Sequence, residues 1–422
     1  MRLCMSAKGI FLISSLFFLT ASYGQGNQLF LIPTDEEVEI PFKLINGVIV
    51  VEATLNQKHK VNLLVDTGAE NLILFNESIK QQLNIPNGKK ITLKGADLSN
   101  EVSAEIIRNL DLQLPNANEI TRDFIVLDEN SMNLSGHLGH PIDGIVGGRI
   151  FWSTVMEINY KKQKIILQKK SKFDTPPLRD YREFDLYISS SKPYFIAQIT
   201  LYDGNTIPIK VLLDTGSSLG FLLFYNTHKD LFLPEYYIEG ELGRALGGPI
   251  TGYISKSKLL NLGPTLHFKH LITNFQGQNE GIDPKVYNDR NGLIGNPILS
   301  RFDVIIDYVG AKLYLRPHKN YNEQLDYDKS GLILFASGPQ LSTYVVRKIV
   351  EGSAADAADI RIGDIIKRVN WLPKSLLTLD LINDKLSRKS GKKIRLVIER
   401  DGVRIKKQFK LSDYLESSLN RY

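Results

Sequence analysis

The stretch Leu63-Leu64-Val65-Asp66-Thr67-Gly68 decides the fold, because the chain repeats it as Val211-Leu212-Leu213-Asp214-Thr215-Gly216. Two apolar residues and a glycine follow each copy, as Ile145-Val146-Gly147 and Leu293-Ile294-Gly295. The aspartate and this later glycine are 81 residues apart in both copies, and the whole pattern recurs with a period of 148 residues. Self-similarity at one fixed period indicates a duplicated structural unit.

The repeat continues beyond these glycines, which indicates that two whole lobes are duplicated. At the same offset the chain matches Ile150 with Ile298, Ile158 with Ile306, Tyr160 with Tyr308, Lys164 with Lys312 and Leu167 with Leu315. The period is far longer than that of a solenoid repeat, so we expect each unit to be a lobe with its own core. A pseudo-two-fold axis between the lobes would bring Asp66 and Asp214 face to face.

Alternating and β-branched stretches predict a mainly β chain. Asn46-Gly47 is a hairpin signal between two predicted strands, and further strand pairs are predicted over 155–167 and 304–315. Short helices are predicted over 78–83 and near Ile150. The predicted organisation is a signal peptide over 1–24, an N-terminal lobe over 25–175, a C-terminal lobe over 176–325 and a third domain over 330–413.

The first residues predict export. Arg2 and Lys8 accompany a short apolar run over 9–20, and small residues favour cleavage after Gly24. The run is short for a bilayer span, so a cleaved signal peptide is favoured over an uncleaved anchor, with no transmembrane span in the mature chain. The only cysteine, Cys4, would leave with the signal peptide, and the mature chain would then have no thiol. We expect a periplasmic, envelope-associated or secreted protein.

The formal net charge of +6 is concentrated near the C-terminus, where residues 331–422 hold 18 Lys and Arg against 10 Asp and Glu. A basic segment is one feature of nucleic-acid or anionic-membrane binding. The interleaved aromatic residues of a nucleic-acid reader are absent from this segment. We therefore interpret the charge as the solvated face of a small basic domain and expect no nucleic-acid partner.

Paired aspartates can hydrolyse a peptide bond without a metal, thiol or serine. The ionised carboxylate takes a proton from water, while the protonated one donates to the carbonyl oxygen. Thr67 and Thr215 are suited to bonding across the lobe junction, and Gly68 and Gly216 allow backbone N–H groups to approach the carboxylates closely. No cofactor is required by this chemistry.

This sharing of one proton is established for the aspartic proteases, which the chain resembles over residues 35–320, in both their pepsin-like and retropepsin-like forms. The resemblance rests on Asp66-Thr67-Gly68-Ala69, on Asp214-Thr215-Gly216-Ser217 and on the two later glycine elements. It implies that Asp66 and Asp214 are catalytic, that the two lobes are pseudo-symmetric β-barrels, and that a polypeptide substrate lies extended beneath a flap. Ser217 would support the catalytic loop.

Ala69 departs from the family, which usually has Ser or Thr at this position. Losing a hydroxyl donor to a carboxylate should raise the pKa of that carboxylate. We therefore predict a less acidic pH optimum than that of gastric-type enzymes. No tyrosine or tryptophan lies between Asp66 and Gly147, so the first lobe lacks a pepsin-type flap tyrosine. The stretch 243–248 of the second lobe, with Gly247 and Gly248 at its tip, is the candidate flap, and it is equally interpretable as a plain glycine turn.

Residues 331–412 resemble a PDZ domain of bacterial envelope proteases. The resemblance rests on Val350-Glu351-Gly352-Ser353-Ala354-Ala355 and on Ile362-Gly363-Asp364-Ile365-Ile366. It implies an α+β domain that binds a peptide by strand addition, although the usual Gly-Leu-Gly-Phe is missing from the loop over 337–342. The candidate peptide-binding residues are Leu341, Ser342, Thr343 and Tyr344.

Two other functions stay open at this point. A catalytically silent envelope protein could bind extended peptides through the cleft and the PDZ groove. A metallohydrolase could use the His-x-x-His pairs at His137 and His140 or at His267 and His270, but neither pair recurs at the repeat offset or carries the glutamate of a helical zinc motif. We therefore expect no metal site, and the sequence predicts no oligomeric state.

Overall fold

The computed structural model describes residues 31–32, 37–75, 77–94, 101–128, 132–246, 248–277 and 290–413. The predicted signal peptide, Cys4 and Gly247 lie outside the described residues. Within them the chain is mainly β, as predicted. In the part of the chain that the structure describes, no helix is long and apolar enough to span a bilayer.

The first strands of the described chain are β1 (Val38–Pro41), β2 (Lys43–Ile45), β3 (Val48–Leu55), β4 (His59–Asp66), β5 (Leu72–Leu74), β6 (Lys89–Lys94), β7 (Glu101–Gln113), β8 (Ile120–Leu127), β9 (Gly144–Gly147), β10 (Val155–Asn159) and β11 (Lys164–Gln168). The following strands are β12 (Arg182–Asp185), β13 (Tyr187–Ser189), β14 (Lys192–Thr200), β15 (Thr206–Asp214), β16 (Phe221–Phe224), β17 (Ile238–Ala245), β18 (Gly248–Gly263), β19 (Leu266–Gln276), β20 (Gly292–Gly295), β21 (Phe302–Asp307) and β22 (Lys312–Pro317).

The last strands are β23 (Leu332–Ser337), β24 (Thr343–Ile349), β25 (Ile365–Val369), β26 (Leu372–Pro373), β27 (Lys393–Arg400) and β28 (Val403–Lys410). The α-helices are α1 (Glu77–Gln82), α2 (Leu134–Leu138), α3 (Asn296–Leu299), α4 (Ala354–Ala357) and α5 (Leu379–Leu386). Short 3-10 turns cover Gly148–Ile150, Lys170–Lys172 and Lys374–Leu376.

The two repeats form sheets with the same strand order. The N-terminal sheet runs β2-β3-β4-β9-β5-β8-β7-β6, and the C-terminal sheet runs β13-β14-β15-β20-β16-β19-β18-β17. In the first, β4 and β9 pair in parallel with Asp66 opposite Gly147. In the second, β15 and β20 pair in parallel with Asp214 opposite Gly295. The repeated spacing in the sequence thus corresponds to one strand pairing made twice.

A third sheet joins the two halves, in the order β1-β11-β10-β21-β22-β12. Its central pair, β10 and β21, brings one strand from each repeat together, with Ile158 opposite Val304. The largest hydrophobic cluster continues across this joint from Ile165 to Ile306. The expectation that each lobe has its own core is therefore only partly right, because the shared sheet buries side chains of both repeats together. Each lobe also has a smaller separate cluster.

The C-terminal domain, residues 330–413, forms its own sheet in the order β23-β24-β25-β27-β28, with β26 paired to β25. Its core includes Leu334, Val346, Ile366 and Ile398. Helix α5 begins at Leu379, because the Thr378 hydroxyl accepts a hydrogen bond from the Leu381 amide at 3.1 Å and so caps the helix there.

Strand β24 cannot accept an added peptide strand. It lies between β23 and β25, and Tyr344 is opposite Ala336 on one side and Ile366 on the other. The prediction that a peptide adds as a strand beside Thr343 and Tyr344 is therefore wrong, and the open edges of this sheet are β23 and β28. The residues affected by this correction are Leu341 and Ser342, in the turn before β24, and Thr343 and Tyr344, at its start.

Candidate active site

Asp66 and Asp214 end the equivalent strands β4 and β15 and face each other at the lobe junction. The Asp66 carboxyl group lies beside Gly216 and the Asp214 carboxyl group lies beside Gly68, so each reaches the loop of the other lobe. Both residues are 0% exposed. The junction therefore holds two acidic groups, separated by 148 positions in sequence, that lie away from solvent and influence each other's pKa.

Gly68 and Gly216 make this arrangement possible. A Cβ at Gly68 would lie 2.9 Å from the Asp214 carboxyl carbon, and a Cβ at Gly216 would lie 2.3 Å from that of Asp66. Each glycine thus leaves the space that the aspartate of the other lobe occupies.

Thr67 and Thr215 tie the two loops together by reciprocal hydrogen bonds. The Thr67 hydroxyl donates to the Leu213 carbonyl at 2.6 Å, and the Thr215 hydroxyl donates to the Val65 carbonyl at 2.8 Å. Each hydroxyl also accepts the backbone N–H of the other threonine at 3.0 Å. This closed set of buried bonds orients both loops relative to each other, which fixes the separation of the carboxyl groups.

One oxygen of each carboxyl group is held by backbone amides. Asp66 Oδ1 accepts from the amides of Gly68 at 2.7 Å and Ala69 at 3.1 Å, and Asp214 Oδ1 accepts from Gly216 at 3.0 Å. The Oδ2 atoms of both aspartates are buried and accept no hydrogen bond from the described residues. These two oxygens are therefore available to meet a reactant.

The Ser217 hydroxyl accepts the Leu219 amide at 3.1 Å, and the structure gives it no hydrogen bond to Asp214. Ser217 therefore does not give Asp214 a hydroxyl donor that Asp66 lacks at Ala69. The two aspartates differ instead in the charges around them. Burial raises the pKa of Asp66 well above its usual range, and repulsion from Asp214 adds to this effect. Burial also raises the pKa of Asp214, opposed by the Arg290 guanidinium.

Two cations that the sequence analysis missed, Lys192 and Arg290, are buried near the aspartates, each 4% exposed. Burial and the Arg290 charge lower the pKa of Lys192 to about 8, while Asp66, Glu70 and Asp214 oppose this shift. A cation in a poorly solvated site stabilises nearby carboxylates more strongly than one in water. Lys192 and Arg290 thus favour retention of a negative charge on the aspartate pair.

In the sequence Lys192 resembles a solvated turn lysine, because it follows Ser190 and Ser191. In the structure both serines have positive φ and form the turn before β14. It begins β14 as Val48 begins β3, and the equivalent turn positions are offset by 144 residues, four fewer than the main repeat. A comparison of the repeats that allowed this shift would have shown a lysine in place of a buried valine.

The layer behind the aspartates also differs between the lobes. The Tyr160 hydroxyl donates to Asn296 Oδ1 at 2.7 Å, and the Asn296 amide donates to the Thr215 carbonyl at 2.5 Å. Tyr308 is the repeat partner of Tyr160, but Gly148 stands at the repeat position of Asn296. The buried Tyr308 hydroxyl has no hydrogen-bond partner among the described residues.

The candidate flap belongs to the β17–β18 hairpin of the second lobe, which pairs Ala245 with Gly248 at its tip. Gly248 has a φ of +132°, a value that favours glycine. Leu246 at the tip is buried in a cluster of first-lobe residues that includes Ala69, directly after the first Asp-Thr-Gly. The hairpin tip therefore reaches from its own lobe across to the other one.

The histidines of the two pairs have contacts outside the aspartate loops. His137 is buried on α2, His140 contacts the Pro141 carbonyl at 2.9 Å, and His270 contacts the Tyr202 hydroxyl at 2.7 Å. Among the residues that the structure describes, no group of three or more histidine or acidic side chains is placed to hold a metal ion.

Comparisons with known proteins agree with part of this assignment. Residues 51–150 match a family model described as aspartyl protease. No curated protein matches the chain. Among solved structures, the chain is similar to basic 7S globulin from soybean, with 10% sequence identity, a TM-score of 0.39, and coverage of 66% of this chain and 94% of that chain. The family match includes Asp66 and Gly147 and ends before Asp214, so it supports an aspartyl protease through the first repeat.

Proposed function

We propose that the chain is an aspartic endopeptidase in which Asp66 and Asp214 act together on one water molecule. The observation that carries this proposal is that two buried carboxyl groups meet at the lobe junction, each beside the glycine of the other loop. The match of residues 51–150 to an aspartyl protease family supports the same reaction. A polypeptide is the substrate class that this chemistry implies.

In the proposed reaction the pair carries a single proton. The ionised carboxylate takes a proton from water as the water oxygen attacks the carbonyl carbon, and the protonated carboxyl gives its proton to the carbonyl oxygen. The tetrahedral intermediate then breaks its C–N bond as a proton passes to the leaving nitrogen. The apparent pKa values belong to the pair, since two like charges that lie close together cannot both form cheaply.

The hairpin β17–β18 is proposed as the flap. Both aspartates are fully buried, so a substrate reaches them only after a covering element moves. The tip residue Leu246 packs on the opposite lobe, which makes this hairpin the element whose release would open the cleft. Gly248 is proposed as a flap residue, and Gly247 lies outside the described residues.

Two further parts of the chain, the C-terminal domain and the first 24 residues, are given proposed roles. Residues 330–413 are proposed to be a PDZ-type domain, on the residues 350–355 and 362–366 and the strand and helix order around them. Residues 1–24 are proposed to be a signal peptide, which would place the mature protein in the periplasm, on the envelope or outside the cell.

The test is cleavage of an unstructured protein such as denatured casein by the chain starting at Gln25. We expect pepstatin to inhibit cleavage and Asp214→Asn to reduce the rate by about 10²–10⁴-fold, the usual value of acid–base catalysis. Asp180→Asn, at an exposed position, is the matched control and should keep the wild-type rate.

The same assay separates the alternatives. A silent peptide-binding protein would bind casein without cleaving it, and a metallohydrolase would lose activity with a chelator. Cleavage that survives both Asp66→Asn and Asp214→Asn would contradict the proposed mechanism.

A further inference from the structure

The C-terminal domain has a groove between its edge strand β23 and helix α5, and helix α2 of the N-terminal lobe covers part of it. A Cβ at Gly136 of α2 would lie 2.1 Å from the Phe335 ring of β23, and a Cβ at Gly139 would lie 2.5 Å from Leu379 Cβ of α5. Gly139 ends α2 with a φ of +66°, which favours glycine. The helix therefore packs against both walls of the groove at positions where only glycine fits.

The turn between β2 and β3 strengthens this contact. The backbone N–H of Asn46 donates to Asp380 of α5 at 3.0 Å, and the Asn383 amide donates to Asn46 Oδ1 at 2.9 Å. The side-chain amide of Asn46 also donates to the Leu138 carbonyl of α2 at 2.9 Å. Asn46 thus joins the end of α2 to α5.

The turn before β23 is also satisfied from within the chain. Asp328 accepts the amides of Ser330 at 2.9 Å and Gly331 at 2.6 Å, and the Ser330 hydroxyl donates to the same carboxylate. Backbone amides at the start of an edge strand could otherwise hold the terminal carboxylate of a peptide. With an internal carboxylate in place, this groove is better suited to a segment of its own chain.

Helix α2 shares a buried hydrophobic cluster with the tip of the flap hairpin. Leu134 and Leu138 belong to the same hydrophobic cluster as Leu246 at the hairpin tip. His137 packs its ring edge-on against Phe335, with 5.0 Å between ring centroids, and lies within electrostatic reach of Arg244 in β17. Helix α2 therefore links the C-terminal domain to the cluster that buries the hairpin tip.

Two features favour separation of the C-terminal domain from the lobes. An open cleft of about 720 Å³ lies between the C-terminal domain and the lobes, lined by Asp380, Asn383, Leu325 and Gly220 among others. The cleft leaves part of the facing surfaces of the domain and the lobes out of contact with each other. Arg244 Nε is also buried without a hydrogen-bond partner among the described residues, which makes the closed position of the hairpin less stable.

We propose that the C-terminal domain is an intramolecular clamp: docked on α2, it holds the β17–β18 hairpin closed over the aspartates, and its release opens the cleft. The effect on cleavage rests on the proposed protease function, whereas the mechanical coupling of the clamp to the hairpin does not.

The test variant is Gly136→Ala in the chain starting at Gln25, because the added methyl group would collide with Phe335. Lys162→Ala, in the exposed turn between β10 and β11, is the control; Gly204 is unsuitable although a Cβ there meets no atom within 4 Å, because its φ of +93° strains any other residue. We expect Gly136→Ala to increase amide hydrogen exchange in α2, β23 and β17, and to raise the rate of casein cleavage several-fold. The control should leave exchange in these three elements as in the wild type.

A second variant, Asp380→Ala with Asn383→Ala, removes the bonds to Asn46 without adding bulk. It should change exchange in the same direction by a smaller factor, and it carries the test if Gly136→Ala does not fold. Faster exchange in α2 and β23 with unchanged exchange in β17 would overturn the clamp. Coupled exchange without cleavage by the wild type or any variant would retain the clamp and reject the protease function.

Discussion

The two lobes are alike in their aspartate loops and different in the layer around them. Both loops use the same threonine and glycine contacts, with equal 3.0 Å bonds across the junction. Outside the loops, Val48 corresponds to Lys192, and Gly148 corresponds to Asn296. The comparison indicates that symmetry is needed where the carboxyl groups meet. The charge and packing around them can differ, and these differences adjust the pKa values of the pair.

The largest effect is expected from filling the space between the loops. Gly216→Ala would place a Cβ 2.3 Å from the Asp66 carboxyl carbon, against 2.9 Å from Asp214 for Gly68→Ala. We expect both to reduce casein cleavage by about 10²-fold or more, because small displacements of reacting groups have effects of this size. Gly216→Ala should also lower the free energy of unfolding more than Gly68→Ala. Equal unfolding midpoints in urea would contradict the difference between the loops.

A smaller effect is expected from making the surroundings symmetric. Lys192→Met removes a cation that stabilises the aspartate carboxylates, so the pKa values of the pair should rise. Both limbs of the pH profile of kcat/KM should then move to higher pH, by about one unit. Lys162→Met, in an exposed turn, is the control and should leave the profile unchanged. A shift to lower pH, or none, would contradict the role given to Lys192.

The smallest effect is expected from the two repeat-related tyrosines. Tyr160→Phe removes a buried bond to Asn296 and should lower the free energy of unfolding by about 1–2 kcal/mol. Tyr308→Phe removes a hydroxyl that has no partner among the described residues, and it should be neutral or stabilising. Urea unfolding of the two variants checks this, and equal losses of stability would show that the second layer is symmetric after all.

Most of the fold was predicted from the sequence, because the repeat shows which strands of the two lobes are equivalent. The exact spacing around Asp66 and Asp214 anticipated that one strand pairing occurs twice, and the turn at Asn46-Gly47 does join β2 and β3. The shared core was not predicted, since the pairing of β10 with β21 depends on contacts between distant segments. The open edge of the C-terminal sheet was misplaced because β23, which pairs with β24 and covers its outer side, was not recognised as a strand.

The site was predicted less completely than the fold. The loop residues have distinctive types, but Lys192 has the composition of a solvated turn and becomes buried only when the lobes meet. The same holds for Gly136 and Gly139, whose role appears only when the C-terminal domain lies against α2. Burial where segments distant in the chain meet has no local periodicity, so sequence patterns do not reveal it.

The central claim is that the two aspartates share a proton. Burial raises the pKa of both carboxyl groups in the folded state, so the native protein keeps a proton that the unfolded chain loses above about pH 4. The stability that this retained proton confers is fully present below about pH 4. It should decline as the pH rises through the raised pKa values of the folded state. Substitution by asparagine, which stays neutral, should reduce that decline.

The most direct measurement is a double-mutant cycle of Asp66→Asn and Asp214→Asn, followed by urea unfolding at pH 4 and pH 7. If the carboxyl groups compete for one proton, either single variant should recover most of the stability lost at pH 7. The double variant should then gain less than the sum of the two single gains, by about 0.5–3 kcal/mol. Gains that simply add at pH 7 would show that the two carboxyl groups titrate independently and would contradict the account.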